Sequence, residues 1–256
     1  MRLLRKERTV TVSDFTFGLG TPIVIAGPCS VESREQIIEI AKAVKQAGAQ
    51  MLRGGVFKPR TNPYDFQGLG LKGLDYLLEA KALTGLPIVT ELMDERYLDI
   101  FVEQVDLIQI GSRNMYNYAL LRAVGETKKP ILLKRGMSAT IKEWIMAAEH
   151  ILKAGNDQII LCERGIRTFE TYTRNTLDLA AVPIMKRETG LPVIVDPSHG
   201  TGRRDLIEIM SKTAIASGAD GLLIEAHINP DEAVSDKEQT IDIGLLEKII
   251  RACNTY

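Results

Sequence analysis

Eight short apolar runs punctuate this 256-residue chain: PIVIA, QMLRG, PIVTEL, LIQIGS, PILLKR, IILCER, PVIVDPS and GLLIEAH. They begin near residues 22, 50, 87, 106, 130, 158, 192 and 221. Each is rich in Ile, Val and Leu and does not alternate with polar residues, the pattern of strands buried on both faces. Segments of helical periodicity lie between them, such as SREQIIEIAKAVKQAG and IKEWIMAAEHILKAG. Ser33 with Gln36 has the form of a capping box, and Gly155 ends the second helix. Strand and helix alternate without a linker or a break in composition, which predicts one parallel α/β domain.

How the runs end decides between an open sheet and a closed barrel. They terminate at Cys29, Arg53, Glu91, Ser112, Lys134, Glu163 with Arg164, Asp196 with His199, and Glu225. An open doubly wound sheet gathers its chemistry at one switch point and leaves distant strands plain. A barrel brings all eight C-terminal strand ends to one mouth. Residues 21–256 are therefore expected to form a single (β/α)8 (TIM) barrel. Residues 1–20 form an extension in which RTVTVSDFTFGLG reads as a hairpin, turning at Ser13-Asp14 and covering the barrel floor.

Composition excludes several functions. The formal net charge of −1 implies no general affinity for nucleic acid or acidic membranes. No apolar run approaches the roughly 18 residues of a membrane span, and MRLLRKERTVTV lacks the apolar core of a signal peptide. Three widely spaced cysteines argue against a disulfide framework. A cytoplasmic protein is expected.

Two groups of residues carry the chemistry. Cys29, His199, Glu225 and Asp236 follow the first, seventh and eighth runs, and closure makes those strands neighbours. Taken singly, Cys29 is a small core filler and His199 a turn cap. Together, one thiol, one imidazole and two carboxylates suit a divalent transition ion, with Mn, Fe, Co and Zn all compatible. The second group is cationic: Arg53, Lys58, Arg60, Arg113, Lys134 and Arg164. Cations concentrated at one mouth of a near-neutral protein point to an anionic small molecule. Backbone N–H groups of GSRNM, at an expected helix start, would add a phosphate nest. GLGLKG, Gly68 to Gly73, matches a dinucleotide fingerprint, but a proline-rich loop precedes it where that motif needs a strand. His150 reads as a helix-face residue, and Cys162 and Cys253 as inert.

Taken together, GPCS, LRGGVFKPRT, YDFQGLG, LLKRG, LCERGIRTFE and VDPSHGTGRR resemble the 3-deoxy-7-phosphoheptulonate (DAHP) synthase family, closest to its short microbial subgroup. The sister 3-deoxy-octulosonate 8-phosphate synthases typically carry an ANRSS-like segment where this chain has KPRTN. The resemblance implies condensation of phosphoenolpyruvate with erythrose 4-phosphate and water, the first step of the shikimate pathway, by a metal-dependent enzyme that is commonly a homotetramer. It assigns Cys29, His199, Glu225 and Asp236 to one divalent metal ion. Arg53, Lys58, Ser112, Arg113, Lys134 and Arg164 go to phosphoenolpyruvate, and Arg60 and Thr61 to the sugar phosphate. Lys58, Lys134, Glu91 and His199 are the expected catalytic residues. Two departures stand out: Asn62 where serine is commoner, and Lys237 in place of a small residue after Asp236.

Three alternatives follow. Lys134 as a Schiff-base nucleophile would make the chain a barrel aldolase; a preference for arabinose 5-phosphate would make it an octulosonate synthase; binding without turnover would make it a phosphosugar-binding barrel. Only about twenty residues precede the first run, too few for the added regulatory domain of longer relatives, so insensitivity to aromatic amino acids is expected.

Overall fold

The computed structural model describes residues 6–60 and 62–253. Two short antiparallel strands come first, β1 (Val10–Val12) and β2 (Phe15–Phe17), turning at Ser13 and Asp14 as expected. Eight parallel strands follow: β3 (Ile23–Gly27), β4 (Met51–Arg53), β5 (Ile88–Glu91), β6 (Leu107–Ile110), β7 (Ile131–Lys134), β8 (Ile159–Glu163), β9 (Val193–Val195) and β10 (Gly221–Glu225). They pair in chain order, and β10 pairs with β3 from Gly221↔Ile23 to Glu225↔Gly27, closing the barrel. Every expected strand is present, each starting within about a residue of its apolar run.

The outer layer is formed by α1 (Arg34–Gln46), α2 (Leu71–Thr84), α3 (Leu98–Gln104), α4 (Tyr118–Gly125), α5 (Ile141–Ala154), α6 (Ala181–Thr189), α7 (Pro197–Thr201), α8 (Ile207–Ala216) and α9 (Ile243–Cys253). Ser33 caps α1 by accepting from the Gln36 N–H, while the Gln36 side chain accepts from Glu32 rather than closing the box on Ser33. Gly155 ends α5 in the left-handed conformation. Among the described residues no strand leads directly into Gly68–Gly73. GSRNM does not open a helix: Ser112–Asn114 form one 3-10 turn, and α4 starts at Tyr118 behind its cap Asn117. Among the described residues no helix is long and apolar enough to cross a membrane.

Period-two geometry splits each strand between two cores. Val24, Leu52, Ile88, Ile108, Leu133 and Leu161 face the helices. Ile25, Met51, Val89, Leu107, Leu132, Ile160, Cys162, Ile194 and Leu223 fill the barrel, where Val10, Val12 and Phe17 of the hairpin join them. The hairpin thus plugs the N-terminal end of the barrel with buried apolar side chains.

Candidate active site

The same alternation selects which strand-end residues look inward. Arg53, Glu91, Lys134, Arg164 and His199 line a mouth cavity of about 420 Å3 together with Lys58, Arg60, Asn62, Asp65, Gln109, Ser112, Arg113, Arg174 and Asp236. Glu163 does not: it sits one position off the inward register, where it accepts from Arg135 Nη1 at 2.8 Å and from the Gly165 N–H at 2.6 Å. Arg135 is turned away with it and also reaches Asp178 at 2.9 Å, so the cation following Lys134 in sequence does not belong to the mouth.

Cys29, His199, Glu225 and Asp236 offer donor atoms that all lie within 4.8 Å of one another. Cys29 Sγ is 2.9 Å from Asp236 Oδ2, and His199 Nε2 is 3.4 Å from Glu225 Oε1. Asp196, the cap of α7, accepts from the His199 backbone N–H and approaches Nδ1 at 2.7 Å. That contact turns Nε2 toward the other three donors. Burial holds the His199 pKa below its ordinary value even with Asp196 and Glu225 beside it, so the ring is a neutral donor. Burial, reinforced by Glu225, pushes the Cys29 thiol up to about 12. Burial opposes ionisation of Glu225 and Asp236 too, but His199, which is protonated in the acidic range where carboxylates titrate, and nearby cations outweigh it and hold both below the usual carboxylate range. The set fits a transition ion, since one soft sulfur, one neutral imidazole and two hard carboxylates converge. An arriving cation would displace the thiol proton. Asp236 takes its place at a cost, with φ of +56°, a left-handed conformation rare outside glycine. The Lys237 side chain is exposed, which leaves Asp236 turned inward.

The cations fall into two kinds. Arg53 donates to Glu225 Oε1 at 2.6 Å, and Lys134 to Asp196 Oδ2 at 2.5 Å, both buried. Lys58 Nζ lies 2.7 Å from Cys29 Sγ. Arg60 reaches Asp65 at 3.3 Å, and Asn62 braces that turn by donating to Asp65 at 2.9 Å. Arg164 is different. It is 4% exposed and, among the described residues, reaches only the Gly165 carbonyl at 3.4 Å and leaves its Nε–H without a partner. Burial pushes its pKa down. A buried guanidinium with an orphaned donor is a site for an anion. Arg113 is exposed at the rim. Thr61, expected on the sugar phosphate, lies outside the described residues.

Glu91 hangs from the end of β5 and accepts from Gln109 at 3.3 Å; burial raises its pKa against the pull of Lys58 and Lys134. A Cβ on Gly111 would overlap the Glu91 carboxylate where it now lies, so a larger residue there would push that carboxylate aside. Arg174 and Gln239 were not expected. Both sit on loops without periodicity, and only their polarity marked them. Tyr118 stacks on His150 at 4.4 Å, away from these residues, and Cys162 and Cys253 are buried in β8 and α9.

A closed parallel barrel whose charged residues gather at the C-terminal strand ends is the architecture of a (β/α)8 enzyme. Residues 6–255 match the family model described as the DAHP synthetase I family. The chain is 50% identical over 246 residues to a phospho-2-dehydro-3-deoxyheptonate aldolase from Thermotoga maritima, across 96% of this chain and 73% of that protein. It is 33% identical over 265 residues to a 2-dehydro-3-deoxyphosphooctonate aldolase from Bradyrhizobium diazoefficiens, across 94% and 92%. The crystal structure of the T. maritima phospho-2-dehydro-3-deoxyheptonate aldolase matches with TM-score 0.92 at 49% identity, over 96% of this chain and 72% of that one. A truncated form of T. maritima 3-deoxy-D-arabino-heptulosonate 7-phosphate synthase matches with TM-score 0.89 at 46% identity, over 96% and 90%. This chain belongs to the DAHP synthetase I family.

Proposed function

We propose that the chain condenses phosphoenolpyruvate with erythrose 4-phosphate and water, giving 3-deoxy-D-arabino-heptulosonate 7-phosphate and phosphate. The observation that carries this reading is the buried Arg164, whose Nε–H has no partner among the described residues, in a cavity lined by seven Lys and Arg side chains, of which Arg53 and Lys134 are held by Glu225 and Asp196. Two anionic substrates would each find cations there, and holding them together overcomes their mutual repulsion. Arg164, Lys134, Arg113, Arg53 and Lys58, with Ser112, would orient phosphoenolpyruvate; Arg60 and Thr61 would receive the sugar phosphate.

Cys29, His199, Glu225 and Asp236 would hold one divalent ion, which when bound polarises an aldehyde oxygen. The enol C3 attacks the aldehyde carbon and leaves cationic character at C2. Glu91 stands ready to stabilise that charge, because the developing cation favours its ionised form against burial. Water adds at C2, one of its protons ending on the alkoxide formed from the aldehyde oxygen; the new C2 hydroxyl then gives up its proton as the C–O bond to phosphate breaks, leaving a C2 ketone and phosphate. Lys134 donates to the buried Asp196, a contact that an imine nucleophile would have to give up; borohydride trapping with substrate should give no adduct. A homotetramer agrees with the family resemblance and would be read by light scattering.

The test is the loss of phosphoenolpyruvate absorbance when erythrose 4-phosphate is added, with and without chelator. Loss that chelator stops supports the reading. Faster consumption with arabinose 5-phosphate would reassign the chain to octulosonate synthesis, and binding without turnover would make it a phosphosugar-binding barrel.

A further inference from the structure

Glu225 and Asp236 reach the four-donor group from different backbones, one from the end of β10 and the other from the loop beyond it. A hydrogen-bonded path through Gln239 and Arg174 joins them. Gln239, 2% exposed, donates from Nε2 to Glu225 Oε2 at 2.6 Å. Its Oε1 accepts from Arg174 Nη1 at 3.1 Å, and that same nitrogen donates to Asp236 Oδ1 at 2.7 Å. The backbone reinforces the path: the Gln239 N–H and the Thr240 hydroxyl both donate to the Asp236 carbonyl, at 3.3 and 3.0 Å. Arg53 occupies the other oxygen of Glu225.

The amide suits this place for a chemical reason. Glutamine can donate to one acid and accept from the arginine that holds the other, without adding charge. Glutamate would set a third carboxylate against Glu225. A methionine would fill the same space and make neither bond. The path matters most for Asp236, whose left-handed backbone persists only if its surroundings determine it.

We propose that Gln239 and Arg174 form a clamp that positions Glu225 and Asp236 to receive a divalent cation. They are positioning residues, and the inference rests on the reading of the four donors as a cation site. Groups that orient metal ligands typically change affinity 10- to 100-fold when removed.

The experiment titrates metal-stripped full-length protein with Mn2+ in competition with a chromophoric chelator, so that the readout is a dissociation constant. Gln239→Met and Arg174→Met are each expected to weaken binding about 10- to 100-fold. The double variant should weaken it little beyond the larger single effect, because both cut one path. Melting of each variant in chelator shows whether it is folded; Arg174, with its half-exposed side chain, tests the clamp even if Gln239→Met fails to fold. Single variants within twofold of the parent, or effects that multiply in the double, would overturn the clamp. Cys29→Ala separates the two levels of inference. If it loses Mn2+ while the clamp variants keep it, the clamp falls and the cation site stands. If the parent binds no better than Cys29→Ala, the cation site falls and the clamp with it.

Discussion

At the floor of the barrel, Ile25, Met51, Leu107, Ile160 and Leu223 meet Val10, Val12 and Phe17 of the hairpin in an apolar layer. At the mouth, later inward positions of the same staves or the residues just beyond them carry Arg53, Lys134, Arg164, Asp196 and Glu225. Each large apolar side chain at the floor contributes about 1.5–3 kcal/mol by leaving water. The mouth instead contains a buried Arg164 with an unmet donor, a cost of about 1–3 kcal/mol. It also carries an aspartate in a left-handed backbone conformation. Stability and chemistry thus reside at opposite ends: the floor supports strain that the mouth needs for binding.

Four experiments would break or sharpen that contrast. The largest effect is expected for Cys29→Ala, which should lower activity on the order of 10³-fold by removing a cation donor. Its urea midpoint should barely move; full activity in metal-free buffer would remove the basis for the site. Next, Phe17→Ala should cost about 3–5 kcal/mol in urea unfolding, while KM for both substrates in the remaining folded enzyme stays level. A shifted KM would mean that the ends are coupled. Arg164→Met should do the reverse, raising KM for phosphoenolpyruvate by about 10- to 100-fold, as loss of a charge-assisted contact does, with no loss of stability. Marked destabilisation would show that Arg164 holds the fold.

The smallest effect concerns pH. In chelator, folded His199 has a lowered pKa, because burial penalises its charge. Below about pH 6.5 the unfolded chain takes up a proton that folded His199 refuses, so stability should fall as pH drops from 7.5 to 5.5. One such group contributes at most about 1.4 kcal/mol per pH unit. His199→Gln should flatten part of the slope in thermal melts; an unchanged slope would contradict the burial argument.

Most of the fold was legible because a parallel barrel repeats one signal eight times, an apolar run closed by a polar end. The inward residues needed one further rule, alternation along each strand. It admits Arg164 and excludes Glu163, a distinction the run IILCER leaves hidden until the strand register is known. The pairing Lys134–Asp196 could not be read either, since it depends on the spacing of two non-adjacent strands. Arg174 and Gln239 escaped altogether. They reach the mouth from loops that have no period, and their importance lies in whom they touch.

The hairpin has one more consequence. Because its aromatic and branched side chains stopper the N-terminal end, the cavity is reached from the opposite, C-terminal face of the barrel. A reactant lodged deepest would be covered once its companion binds, and so is expected to bind first. Initial-rate patterns of a compulsory-order reaction would reveal such a queue, and random-order patterns would exclude it.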